Sequence, residues 1–189
     1  MALRVLMVCT ANVCRSPMAA ALAQRHLSAN GLDALVASAG TMRGGPQTDP
    51  EAVQVMAERG FDISGHTPRL ADREIVAEDG ADLVVVMTRA HLQAVAIMGA
   101  GVFGRSFTAK ELARRTQRLL FDEGFDDPTF AAWRAAVGDG RRAKDLMGDD
   151  QGDDVADPYG MSLAEHRRTA DELDALMAVV ARSIAAWVL

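Results

Sequence analysis

The sequence predicts an α/β fold of three layers, with a central, twisted, mainly four-stranded parallel sheet and helices on both faces. Short apolar runs recur along the chain at Leu3 to Val8, Leu35 to Ala39, Leu83 to Met87 and Val102 to Phe107. Stretches of helical periodicity lie between them, and strands that alternate with helices pair in parallel beneath covering helices. The first and third runs are near-continuously apolar rather than alternating, as strands buried on both faces require.

The elements follow in order. Leu3 to Val8, interrupted only by Arg4, reads as the first strand. Met18 to Leu27 reads as the first helix. Ser16 and Pro17 suit its first positions, because a serine hydroxyl accepts from an orphan amide and proline lacks an amide to orphan. Helices are expected at Pro50 to Arg59, Arg89 to Met98 and from Thr108 to near Leu120. Ser162 to Val188 closes the chain with Leu173, Leu176, Val180, Ile184 and Trp187 at steps of three and four. Phe121 to Asp154 breaks this rhythm: Gly-Asp runs surround one apolar patch, Phe130 to Val137. That segment is expected to be a partly mobile excursion with a helical turn or two, its acidic end, Asp145 to Asp154, a solvated loop.

At 189 residues and 49% hydrophobic the chain fits one packed domain, 1–189. No apolar run approaches the roughly 18 residues of a membrane span, and a net charge of -6 argues against nucleic acid as the main partner. With two cysteines and no secretory leader in its first residues, the expected compartment is the cytoplasm. A monomer or weak dimer is expected.

Chemistry concentrates at Val8 to Pro17, Val-Cys-Thr-Ala-Asn-Val-Cys-Arg-Ser-Pro. A cysteine is nucleophilic as the thiolate, and cysteine pKa values of roughly 8.5 drop to about 3.5–7.5 beside helix N-termini and cations. The same amides bind a phosphate dianion, and the planar fork of Arg15 matches two phosphoryl oxygens. Cys9 and Arg15 in one loop between a strand and a helix therefore supply nucleophile and oxyanion site together. Zinc on Cys9 and Cys14 is disfavoured, because no other cysteine exists and the four histidines are scattered singly. A leaving alkoxide or phenoxide also needs a proton. Asp157 is the candidate acid, since Pro158 stiffens the turn beside it and Tyr159 follows.

These residues carry a resemblance. An N-terminal Cys-x5-Arg-Ser loop, a C-terminal Asp-Pro-Tyr segment, and between them Ser38-Ala39-Gly40-Thr41 and Asp62-Ile63-Ser64-Gly65-His66 resemble the low-molecular-weight protein tyrosine phosphatase family. The resemblance implies a flavodoxin-like arrangement of the layers and hydrolysis of phosphate monoesters without cofactor or metal. Cys9 would form a phosphocysteine, Arg15 and the amides of Thr10, Ala11, Asn12, Val13 and Cys14 would hold phosphate, and Asp157 would move the proton. Asn12 would brace the loop through Ser38 and His66, and Ser16 would stabilise the thiolate. The implied partner is a phosphotyrosine-bearing protein or small aryl phosphate, the product inorganic phosphate.

The chain departs from the pattern in places. Met42 and Tyr159 are the expected substrate wall: Met42 stands in the region where the family often has an aromatic, leaving Tyr159 as the obvious ring against a substrate, and Ala11 replaces a common glycine. Arsenate reduction coupled to a small thiol, phosphoarginine hydrolysis and a silent phosphoprotein-binding module are the competing readings. Phosphoarginine-specific members carry threonine where Val13 stands, which favours phosphotyrosine. Cys9 and Cys14 on one loop also leave open a regulatory disulfide under peroxide.

Overall fold

The computed structural model describes residues 2–77, 80–119, 127–142, 144 and 151–189. Four parallel strands, β1 (Leu3–Cys9), β2 (Ala34–Gly40), β3 (Leu83–Val86) and β4 (Ser106–Thr108), pair in the order β2-β1-β3-β4. The helices are α1 (Arg15–Ala29), α2 (Pro50–Ala57), α3 (Arg73–Val76), α4 (Arg89–Ala96), α5 (Ala109–Leu119), α6 (Phe130–Gly138) and α7 (Leu163–Val188).

The period-two alternation of a strand sends β1 into two cores. Val5, Met7 and Cys9 join a cluster with residues of α1, α2, α5 and α7, whereas Leu6 and Val8 join Val76, Leu92 and Val95 on the other face. Because β1 is central, its last residue, Cys9, lies at the carboxyl edge between neighbouring strand ends, where α/β sheets place ligands.

Three expectations are corrected. The fourth strand is shorter than Val102 to Phe107, because Phe103–Arg105 forms a 3-10 turn after Gly101, whose φ is 76°. Helix α1 starts at Arg15 with no side-chain cap, and the Ser16 hydroxyl is drawn to Cys9 instead. The acidic end of the excursion is tied down where it is described. Asp153, 5% exposed, pairs with Arg89 and Arg114, and Asp154 accepts from the Arg89 amide at 2.8 Å.

Of Phe121 to Asp154, residues 121–126, 143 and 145–150, where mobility is expected, lie outside the described residues. Within the described part, α6 spans 9 residues, with Trp133 wholly buried and its indole nitrogen donating to Ser183 on α7 at 3.1 Å. Among the described residues no helix is long and apolar enough to cross a membrane.

Candidate active site

The loop from Cys9 to Arg15 turns back on itself at Asn12, the only described non-glycine residue with positive φ, 58°. Asparagine tolerates that conformation better than most residues, and its side chain is fully engaged. Nδ2 donates to Ser16 Oγ and Ser38 Oγ, both at 2.8 Å, and Oδ1 accepts from the Arg69 amide at 3.0 Å and His66 Nε2 at 3.2 Å. Burial lowers the His66 pKa, so its ring is neutral near pH 7 and donates through Nε2. Ala11 sits where φ is not positive, which is why alanine is tolerated there.

At the centre, Cys9 Sγ lies 3.0 Å from Ser16 Oγ and accepts from the Asn12 amide at 3.3 Å. Asn12 occupies one lone pair of the Ser16 oxygen, leaving the hydroxyl proton available to a thiolate. The uncapped start of α1 follows directly, and unpaired amides at a helix start favour an anion.

Arg15 is 4% exposed and anchored from three sides. It donates to the Val155 carbonyl at 3.2 Å, to Thr10 Oγ1 at 3.1 Å and to Asp157 Oδ2 at 2.5 Å. Val155 is itself held by its amide on the Met87 carbonyl at 2.8 Å, so the strap from Asp153 to Asp157 runs along the end of β3. Tyr159 is 65% exposed beside it.

These residues open on a cleft of about 600 Å³ lined by Cys9, Arg15, Asp157 and Tyr159 on one side and Arg43 to Pro50 on the other. Thr10, Ala11, Val13 and Cys14 form its floor. Met42, expected as a wall, does not line it. Its amide is fixed on the Thr10 carbonyl at 2.8 Å and its side chain is exposed, and Arg43, Gly44, Gly45 and Pro46 make that wall. The approach is close: a Cβ on Gly44 would collide with the Ala11 carbonyl, and one on Gly40 would fall 2.6 Å from the Thr10 carbonyl.

His91 belongs to the site without having been read from the sequence. Its Nε2 lies 2.9 Å from Thr10 Oγ1 and its Nδ1 2.9 Å from Thr88 Oγ1, which also caps α4 by accepting the His91 amide. Burial first, then the charge of Arg15, push its pKa down to about 4. The neutral ring donates to one threonine and accepts from the other, linking Thr88, Thr10 and Arg15. The available signal was Thr88-x-x-His91 directly after the third strand, at the carboxyl edge of the sheet.

A thiol, an arginine and a carboxyl thus converge on one cleft with donors arranged for an oxyanion. A family model of the low molecular weight phosphotyrosine protein phosphatases matches residues 4–106. The chain belongs to that family, a family of phosphatase enzymes. It is 35% identical over 129 residues, 65% of this chain and 86% of the relative, to a probable low molecular weight protein-tyrosine-phosphatase of Ralstonia nicotianae. It is 27% identical to a protein-arginine-phosphatase of Bacillus subtilis over 95% of both chains. A solved low molecular weight protein tyrosine phosphatase from T. tengcongensis superposes with a TM-score of 0.68 at 31% identity, covering 95% of this chain and 97% of that one.

Proposed function

We propose that the chain hydrolyses phosphotyrosine in proteins through a phosphocysteine at Cys9. The observation that carries this reading is the placement of Cys9 Sγ against Ser16 Oγ, below the point where Arg15 meets Asp157. The Cys9 thiolate attacks phosphorus while the P–O bond to the leaving oxygen breaks, and Asp157, protonated, gives that oxygen its proton. Water then attacks the phosphocysteine, Asp157 takes the water proton, and the S–P bond breaks to release inorganic phosphate. Arg15 and the loop amides hold the phosphoryl oxygens throughout. Asn12, Ser38 and His66 keep the loop in shape, and Tyr159 flanks the substrate ring. No cofactor takes part in these steps, and the cytoplasm is the proposed compartment.

A second reading, phosphoarginine hydrolysis, is favoured by the match to the arginine phosphatase over 95% of both chains and by a cleft wall, Arg43 to Pro46, that holds no aromatic residue. Val13, buried in the cleft floor, weighs toward phosphotyrosine. Steady-state kcat/KM of the purified chain on a phosphotyrosine peptide, phosphoarginine, p-nitrophenyl phosphate and arsenate decides between them. Phosphotyrosine is expected to lead by at least tenfold, and the reading fails if phosphoarginine or arsenate does. Cys9→Ser is expected to abolish turnover while leaving a folded chain that binds phosphate.

A further inference from the structure

A buried trio of side chains takes no part in the proposed phosphoryl-transfer steps. Cys14 ends the loop, Asp49 caps the start of α2 and His166 lies in the first turn of α7, far apart in sequence. One donor atom from each lies within 4.8 Å of the other two, and all three residues are buried, His166 completely. The ring of His166 has a defined direction. Its Nδ1 sits 3.1 Å from the Ser162 carbonyl, which can only accept, so Nδ1 carries a proton. In the neutral ring Nε2 is then a bare lone pair. It faces Asp49 Oδ1 at 3.1 Å, an oxygen already accepting the Glu51 and Ala52 amides, and has no hydrogen-bond partner.

Lone pairs facing one another at a buried site repel unless a positive centre lies between them. A proton on Nε2 would pair the ring with Asp49 at 3.1 Å without an aligned hydrogen bond, and the Cys14 sulfur would stay outside that pair. We infer that Cys14, Asp49 and His166 form a binding site for a zinc-class divalent cation beside the phosphate loop. The mixed sulfur, nitrogen and oxygen donor set fits Zn²⁺ and excludes Mg²⁺ and Ca²⁺, which take oxygen. An Nδ1–H held by a backbone carbonyl is the arrangement that aims Nε2 of a metal-binding histidine. Zinc bonds of about 2.0–2.3 Å put tetrahedral donors about 3.3–3.8 Å apart, so closure asks for movement of about 1 Å.

Binding replaces the Cys14 proton: the S–H bond breaks, sulfur keeps the pair and donates it to the metal, and H⁺ leaves to solvent. Burial, together with the charges of Asp49 and Asp157, pushes the Cys14 thiol up, and a cation relieves that repulsion. Cys14 and Asp49 both line the cleft, which gives the ion its path. Three protein donors leave a position for water or for an anion in the cleft.

The test uses the full chain with zinc in competition against a chromophoric chelator, and cadmium followed by its thiolate charge-transfer absorption. Wild type and Cys9→Ser are expected to bind one equivalent, His166→Phe and Asp49→Asn to weaken zinc at least tenfold, and Cys14→Ser to lose the absorption. Asparagine keeps the cap of α2, so Asp49→Asn tests ligation in a folded chain. Nitrogen-15 spectra of the wild type add a measurement free of mutation, in which saturating zinc is expected to shift His166 Nε2. An unmoved His166 ring, undiminished zinc affinity in His166→Phe, or a charge-transfer band lost in Cys9→Ser but kept in Cys14→Ser overturns the site.

Discussion

Arg15 Nη2 lies 2.5 Å from Asp157 Oδ2, with the arginine side chain 5% exposed and the carboxylate 47%. The fixed member of this pair is the cation, and the movable one is the carboxylate. In the proposed reaction the substrate phosphate competes for the same guanidinium, and its entry would free Asp157 from this resting contact. The exchange replaces one anion on the buried guanidinium by another, so the cation is never left unpaired.

Asp157→Asn preserves shape but removes the transferable proton. Cleavage of tyrosyl phosphate is expected to fall by about 10²–10⁴-fold, whereas thiol phosphorylation by an aryl phosphate with a strongly electron-withdrawing ring is expected to fall far less. Rapid-quench rates across a series of leaving-group pKa values check this. A loss independent of leaving group places the acid elsewhere.

Asp153 holds the strap that carries Asp157. Burial acts to raise its pKa, and the hydrogen bonds and charges of Arg114 and Arg89 overcome this and lower it. Asp153→Ala is expected to cost about 1–3 kcal/mol in urea unfolding and to lower kcat on poor leaving groups, because Val155 and Asp157 lose their anchor. Unchanged stability would return this end of the excursion to the solvated surface.

Gly44→Ala places a methyl group against the Ala11 carbonyl, whereas Gly45→Ala meets nothing within 4 Å. The first is expected to cost about tenfold or more in kcat/KM through displacement of the loop, the second much less. Parallel kinetics of the two variants on p-nitrophenyl phosphate make the comparison.

His91 gives the fold a pH dependence. Its folded pKa of about 4 lies below the ordinary 6.5, so between those values the unfolded chain takes up a proton that the folded chain refuses. The stability from the neutral ring is complete above pH 6.5 and is lost as pH falls toward 4. Urea midpoints at pH 7 and pH 5 are expected to drop more in wild type than in His91→Asn. His66, also lowered by burial, is common to both proteins and cancels.

Legibility in the sequence followed distance along the chain. Cys9, Asn12, Arg15 and Ser16 share one strand-loop-helix unit, so their chemistry is written in consecutive residues, and Asp157-Pro158-Tyr159 announces itself as a stiffened acidic turn. Contacts made by the parallel pairing of β1 with β3 are not written locally. That pairing brings His91 to Thr10 and Val155 to Arg15. Met42 misled because a backbone hydrogen bond, not side-chain type, decides which way that turn faces. Asp153 misled because a run of acids reads as solvated until the arginines that neutralise it are found on α4 and α5.

The separation between Arg15 and Asp157, 142 positions along the chain, has a consequence for synthesis. The loop from Cys9 to Arg15 is made before β2, β3 and β4, and Asp157 emerges only after all four strands have been made. A nascent chain halted before that point lacks both the carboxylate that Arg15 meets and the last helix, whose Leu173 and Met177 share a core with α1. The two halves of the proposed chemistry, anion holding at Arg15 and proton transfer at Asp157, therefore meet only once the chain through Asp157 has been made and packed.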